Sequence, residues 1–316
     1  MCCEWEERNP RDSIYASRFF SNLVRDRFDE ILLDDASEIH EFWRQEIMPL
    51  YTAGRLSHDT DRPPALSGIA SLIHGSLNEP YIAGMWYKDI LQSLAWFPTQ
   101  DADGKLSAVS TNFRAPSFSW VSVDGAVSYD WALGINSSLA IVDAGCTPCS
   151  RNTFGQVSDG YLTIRGELCP AWILVDSRCP EPLTYVTYQD VQPNDPFSVI
   201  TANRQKGFNK FWPDAKLAVS SGRDTAKFIQ PIVHRAQDET NDGGHLWCRC
   251  WFLKLGCPFK GSGHYWLVLG ESLRRAGAYE RLGIVNSGEY LPNMAWIMAW
   301  GTKLRESTLE TEVTIV

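Results

Sequence analysis

The segment that most constrains the fold runs from Arg114 to Val127 and reads Arg-Ala-Pro-Ser-Phe-Ser-Trp-Val-Ser-Val-Asp-Gly-Ala-Val. Its period-two alternation is typical of a strand. Asp124-Gly125 follows, and this dipeptide favours a type I′ turn, in which both central residues need φ > 0. Pro116 limits where the strand can begin, because proline has no N–H to donate to a neighbouring strand. We therefore predict a β-hairpin around Asp124-Gly125, with Trp120 buried and Gly125 at positive φ.

The remainder of the chain changes character near residue 100. Before that point, apolar residues recur at helical spacing, and helices are predicted over 14–28, from an N-cap at Ser37 to residue 50, over 61–73 and over 85–96. After it, short β-branched and aromatic runs separated by Gly, Pro, Asp and Asn predict strands. These strands cover 138–143, 160–168, 171–176, 183–188, 246–253, 264–269, 279–285 and 312–316, and one more helix is predicted over 294–303. The predicted class is α+β, with a helical region at 1–100 and a larger, mostly antiparallel β-rich region at 101–316 that can pack with it as one unit.

Charge and composition restrict the partners and the compartment. The net charge is −9 and no basic run occurs, so the sequence predicts no positively charged surface for binding nucleic acid or an anionic membrane. Cys2-Cys3-Glu4-Trp5-Glu6 is acidic where a signal peptide needs basic residues, and no apolar stretch is long enough to cross a bilayer. Nine cysteines, an odd number, favour reduced thiols. We expect a cytoplasmic protein with a protein partner, and neither nucleic acid nor membrane as a partner.

Two groups of residues contain the side chains that bind metal ions or act as nucleophiles in other proteins. Cys146-Thr-Pro-Cys149 has the spacing of a zinc or redox pair, but it is followed by loop-like residues and lacks a second pair at a standard distance. A second thiol- and imidazole-rich patch contains His245, Cys248, Cys250, Cys257 and His264. Ordinary buried thiols are the favoured interpretation of both groups, with Cys146 and Cys149 as weak metal candidates. The alternative of a Cys–His nucleophile and base formed in the folded chain stays open.

Motifs for other catalytic chemistry are missing. The chain has no G-x-S-x-G, H-E-x-x-H, Walker A or G-x-G-x-x-G sequence. We therefore predict no catalytic residue, no cofactor-binding residue and no cofactor.

Several segments, taken together, resemble the region that follows the HET domain in fungal heterokaryon-incompatibility (HET) proteins. The segment from Arg114 to Gly125 is similar to a block of that region, with Phe118 and Val121 where tryptophan and alanine are usual. The other similar segments are Trp43, Tyr51, Leu56 and Asp61 with Ala65–Ala70, then Tyr81–Trp86, Phe154–Val157, Gly160–Gly166 and Gly277–Gly283. The resemblance extends from about residue 40 to about residue 290. The two blocks that mark the HET domain itself do not occur, so the chain resembles a HET-domain-less member or a truncated form.

This resemblance implies a role in non-self recognition and regulated cell death after hyphal fusion. We expect a non-catalytic interaction or regulatory protein whose partner is a full-length HET protein. The alternative is a small-molecule enzyme of a fungal secondary-metabolite pathway, with its active site in the β region. The candidate interaction or structural residues are Asp61, Arg114, Trp120 and Asp124. For Arg114 and Asp124 we favour a structural role, in which Arg114 binds buried carbonyls or a carboxylate and Asp124 fixes the turn.

Overall fold

The computed structural model describes residues 35–54, 62–99, 108–109, 113–129, 135–176, 184–188, 210–215, 218–219, 232–235, 245–258, 264–286 and 309–316. The chain divides into two units, Met1–Trp131 with Ala144–Tyr161, and Ala132–Asp143 with Leu162–Val316. The described helices lie in the first unit and the large, mostly antiparallel sheet lies mainly in the second, which confirms the α+β class. The predicted helices at 14–28 and 294–303, and the candidate Asp61, fall outside the described residues.

A helical segment opens the described part of the first unit. It consists of α1 (Ala36–Phe42), a π-helical turn (Trp43–Ile47) and α2 (Met48–Ala53). Asp35 is the N-cap, since its carboxylate accepts from the Ser37 N–H at 2.8 Å, so the predicted cap at Ser37 is two residues late. Pro49 accounts for the π-helical turn, because its ring crowds the carbonyl of Gln45 and it has no N–H to donate. The helix widens there, and the Met48 N–H bonds to the Trp43 carbonyl.

The next helix, α3 (Arg62–Leu77), confirms the prediction over 61–73. The predicted helix over 85–96 is wrong for its first half, because strands β1 (Tyr81–Ile82) and β2 (Met85–Trp86) form a short hairpin there. A 3₁₀ turn (Tyr87–Asp89) and the one-turn helix α4 (Ile90–Ser93) follow. None of the described helices is long and apolar enough to cross a bilayer.

The predicted hairpin at Asp124-Gly125 is wrong in its pairing. Ser119 caps a 3₁₀ turn (Trp120–Ser122), and the strand that follows is only β5 (Val123–Asp124). The two strands that flank Gly125 pair with different partners, β5 with β4 (Ala108–Val109) and β6 (Val127–Ser128) with β3 (Phe97–Pro98). The predicted burial of Trp120 and the positive φ of Gly125 are confirmed, at 1% exposure and +111°.

The remaining strands build the large sheet. They are β7 (Ile135–Asn136), β8 (Ala140–Pro148), β9 (Val157–Asp176), β10 (Thr184–Tyr188), β11 (Lys210–Pro213), β12 (Ala218–Val219), β13 (Ile232–Arg235), β14 (His245–Pro258), β15 (Tyr265–Glu271), β16 (Tyr279–Asn286) and β17 (Leu309–Ile315). Hydrogen-bonded pairings run in a closed circuit from β9 to β14, β15, β16, β17 and back to β9. The circuit closes between β16 and β17 through one residue pair, Tyr279 with Ile315. Apolar side chains from β9, β14, β15, β16 and β17 are almost fully buried.

One strand, β9, replaces the two predicted over 160–168 and 171–176. The prediction separated them around Pro170. On one side of β9, pairing with β17 ends at Leu168 and pairing with β10 begins at Ala171. On the other side, β14 pairs with β9 without a break, and Trp251 lies opposite Pro170. The pairing is thus interrupted at Pro170 on one side only, and the strand continues through it.

A buried ion pair lies inside the second unit. The Arg281 guanidinium donates to both carboxylate oxygens of Asp214, at 2.9 and 3.1 Å. Both residues are almost fully buried, at 1% and 2% exposure. Burial raises the pKa of Asp214 to about 6, although the Arg281 charge and hydrogen bonds act in the opposite direction. The loss of hydration thus offsets much of the attraction, but each group depends on the other once both are buried.

We expect Asp214→Asn to lower the free energy of unfolding by about 3–5 kcal/mol, because it leaves the Arg281 charge buried and uncompensated. Chemical denaturation measures the loss. Glu312→Gln is the matched control, since it breaks a 2.7 Å ion pair with Arg165 on the same sheet in which both side chains are half exposed, and we expect no measurable change. Replacing both partners, by Asp214→Leu with Arg281→Met, should recover most of the stability. Equal small losses for Asp214→Asn and Glu312→Gln would contradict this account of the buried pair.

Candidate functional site

Four of the six segments that the sequence analysis compared with HET proteins line one small cavity in the first unit, and the segments Gly160–Gly166 and Gly277–Gly283 do not line it. The cavity has room for about one water molecule. All of its lining residues belong to those segments, although the segments are far apart in the sequence. The lining residues are Leu66, Tyr81, Ala83, Gly84, Arg114, Ala115, Trp120, Val121, Phe154, Gly155 and Val157.

The carbonyl of Gly84 is the centre of this arrangement. It accepts a hydrogen bond from the indole N–H of Trp43 and another from that of Trp120, both at 3.0 Å. The carbonyl of Ala83 accepts from the hydroxyl of Ser119. These bonds satisfy both lone pairs of the Gly84 carbonyl and connect the π-helical turn, the β1–β2 hairpin and the 3₁₀ turn at Trp120. Buried polar groups that are satisfied in this way favour one arrangement of the surrounding core.

The turn that presents these carbonyls is a two-residue hairpin loop. Ala83 and Gly84 both have positive φ, +46° and +99°, which is the pattern of a type I′ turn. The sequence analysis missed this turn, because alanine is unusual at positive φ and carries no turn signal. A Cβ added at Gly84 would lie 2.6 Å from Cγ2 of Val121 and 3.1 Å from the ring of Trp120. Only glycine therefore fits both the backbone angle and the close approach.

Aromatic rings surround the turn in edge-to-face contacts. Trp86 lies 5.5 Å from Trp43 and 5.0 Å from Tyr81, measured between ring centroids, and Tyr51 lies 6.4 Å from Trp120. Such pairs contribute about 0.5–1.5 kcal/mol beyond the area that they bury. Tyr81 also contacts Phe154 at 5.6 Å, which brings the segment Phe154–Val157 into the same cluster. Burial raises the pKa of the Tyr81 phenol, which therefore stays protonated.

The Arg114 guanidinium contacts two backbone carbonyls and the carboxylate of Asp124, whereas the Asp124 carboxylate is bound by Arg114 rather than by the backbone of its own turn. Nε of Arg114 donates to the Val121 carbonyl at 2.7 Å, and Nη2 donates to the Val123 carbonyl at 2.9 Å. The same Nη2 lies 2.7 Å from the Asp124 carboxylate. Arg114 is 4% exposed, whereas the Asp124 side chain is about one third exposed. The guanidinium thus holds the bend between Val121 and Asp124. Of the four candidate residues, Arg114 and Trp120 line the cavity, and Asp124 contacts Arg114.

A cluster of buried charges, which the sequence analysis did not identify, also lies in the first unit. The His40 imidazole contacts the Glu79 carboxylate. Arg44 lies 2.7 Å from Asp89, which also accepts from the Ser93 hydroxyl at 2.9 Å. Burial raises the pKa of Asp89, and the charges of Arg44 and His40 oppose that rise. Glu79 also lies 3.8 Å from Lys88, so each of the two buried carboxylates has a basic side chain beside it.

The two weak metal candidates, Cys146 and Cys149, lie in different surroundings. Cys146 is half-buried, with Sγ 4.0 Å from the Tyr81 carbonyl, and burial raises the pKa of its thiol. Cys149 is exposed. A raised pKa opposes the thiolate form that zinc requires. Among the described residues, no group of three or more Cys, His, Asp or Glu side chains has a geometry that could hold a metal ion.

The Gly84 turn can be tested by substitution. We expect Gly84→Ala to lower the free energy of unfolding by about 2–5 kcal/mol, because it adds backbone strain and a steric clash. Gly75→Ala is the control, since Gly75 lies in α3 and a Cβ there would meet no atom within 4 Å. That substitution should leave stability unchanged or raise it by up to about 1 kcal/mol. If denaturation shows the two variants to be alike, the turn does not have the role that we assign to it.

The chain was compared with protein-family models, with curated proteins and with solved structures. None of the three comparisons finds a match.

Proposed function

We propose that this chain is a non-catalytic interaction protein related to the region that follows the HET domain in fungal heterokaryon-incompatibility proteins. In this proposal it is cytoplasmic, binds a full-length HET protein and modifies that protein's cell-death response. One observation supports the relationship. Every residue that lines the cavity of the first unit belongs to a segment that resembles the region after the HET domain. Segments matched by chance along a chain would have no reason to converge on one cavity.

The contacts of these residues favour a structural role for the similar segments. The carbonyls of Ala83 and Gly84 accept from Ser119, Trp43 and Trp120, and Arg114 binds two carbonyls of its own segment. Ligand pockets usually have volumes of about 300–1,000 Å³, whereas this cavity has room for about one water molecule. The resemblance is therefore best explained as a shared core, and recognition would belong to the surface that this core supports.

The alternative of an enzyme in the β region has one specific observation in its favour. Cys257 and His264 contact each other in the second unit. Neither residue lines the cavity of the first unit.

Expression in a filamentous fungus tests the proposed function. We expect the chain alone to leave growth unaffected, because the blocks that mark the HET domain are missing from the sequence. Co-expressed with a full-length HET protein that triggers cell death, it should reduce the fraction of dead cells by competing for the same contacts. Viability staining after induction measures both effects.

Two variants show whether the effect depends on the folded first unit. Gly84→Ala, which disturbs the core, should lose the protective effect, and Gly75→Ala should retain it. Immunoblotting establishes that the variants accumulate to equal levels. Growth arrest caused by the chain alone, or no change in the response of the full-length protein, would contradict the proposal.

A further inference from the structure

A thiol and an imidazole meet at one end of the large sheet. Sγ of Cys257 lies 2.9 Å from Nδ1 of His264. Both residues are half-buried, so neither is sealed inside the sheet. The described cysteines Cys169 and Cys250, on the same sheet, are by contrast fully buried. Cys257 is therefore the described thiol of this sheet that combines access to solvent with a basic neighbour.

The strand geometry holds this pair in place. Cys257 is the penultimate residue of β14, and His264 directly precedes β15. The register between the two strands shifts between Lys254 and Gly256, where the ladder contains a bulge. A bulge re-aims the side chains that follow it. The Cys257 side chain follows the bulge directly and contacts His264 across the strand pair.

Trp266 provides a second, independent feature of the same place. Its ring lies edge-on to the His264 ring, with 6.3 Å between centroids. The side chain is buried, at 3% exposure, and its indole N–H has no hydrogen-bond partner among the described residues. A buried donor without an acceptor is rare in folded proteins. An N–H of this kind can donate to a carbonyl oxygen of a small molecule that binds beside the pair.

We propose that Cys257 is a nucleophile activated by His264, and that it forms a covalent adduct with α,β-unsaturated carbonyl compounds. In this step Nδ1 of His264 takes the thiol proton as Sγ bonds to the β-carbon of the compound. The electron pair of the carbon–carbon double bond moves towards the carbonyl oxygen and gives an enolate. The imidazolium then returns the proton to the α-carbon, so the histidine ends neutral and no oxidant or reductant is consumed.

Other chemistry of a Cys–His pair fits the surroundings less well. A disulfide cycle needs a second accessible thiol beside the first, and the neighbouring thiols described in the second unit, Cys169 and Cys250, are buried; burial also raises the pKa of Cys169 to about 12. A metal site needs further ligands, and no group of three metal-binding side chains occurs within the described ranges. Addition of a soft carbon electrophile requires only the thiol and the base.

N-ethylmaleimide, itself an α,β-unsaturated carbonyl compound, is the probe. The full-length chain is treated with it from pH 5.5 to 8.5, and the rate at each cysteine is followed by peptide mass spectrometry. At about pH 6.5 we expect Cys257 to react at least about tenfold faster than the exposed Cys149, since a positioned base contributes at least that much.

Two further measurements complete the test. His264→Gln should bring the rate at Cys257 down to that of Cys149, and Cys169 should stay unlabelled while the chain is folded. The comparison of Cys257 with Cys149 in the unaltered chain needs no variant, so it holds even if His264→Gln folds poorly. Equal rates at Cys257 and Cys149, or a fast rate at Cys257 that persists in folded His264→Gln, would overturn the proposal.

Discussion

The first unit depends on the carbonyl of one residue, Gly84. Two buried indole N–H groups, from Trp43 and Trp120, must find acceptors, and this carbonyl serves both at 3.0 Å. The type I′ turn at Ala83-Gly84 presents this carbonyl to both rings. It also accounts for the glycine, since any side chain there would collide with Val121. The aromatic packing around the turn follows from this single constraint.

Buried polar groups in the second unit also need partners, and there an ion pair supplies them. The sheet of that unit closes on itself through β9, β14, β15, β16 and β17, and one ion pair, Asp214 with Arg281, lies inside it. In both units, many of the polar groups that burial has removed from water are paired with one another. Two buried indole N–H groups, of Trp86 in the first unit and Trp266 in the second, have no hydrogen-bond partner among the described residues. Trp266 also lies beside a thiol–imidazole pair.

Much of the fold could be predicted from the sequence, because periodicity reports which face of a strand or helix is buried. The α+β class, the helices around Trp43 and Leu66, the burial of Trp120 and the positive φ of Gly125 follow from such local patterns. The pairing partners of the strands do not follow from local patterns. The strands on either side of Gly125 satisfy the pattern of a hairpin but pair with β3 and β4, which lie earlier in the chain. Arg281 and Asp214 are 67 residues apart, and Cys257 meets His264 only because a bulge re-aims it. These contacts depend on tertiary structure, which a local pattern does not encode.

Hydrogen exchange at the tryptophan indoles tests the central claim most directly. Nuclear magnetic resonance follows each indole N–H separately, and Trp43→Phe and Trp120→Phe assign the two signals. If the Gly84 carbonyl holds the first unit together, the N–H groups of Trp43 and Trp120 exchange only when the unit unfolds, with the same free energy of opening. A large difference between the two, with either one exchanging rapidly while the unit remains folded, would contradict this account.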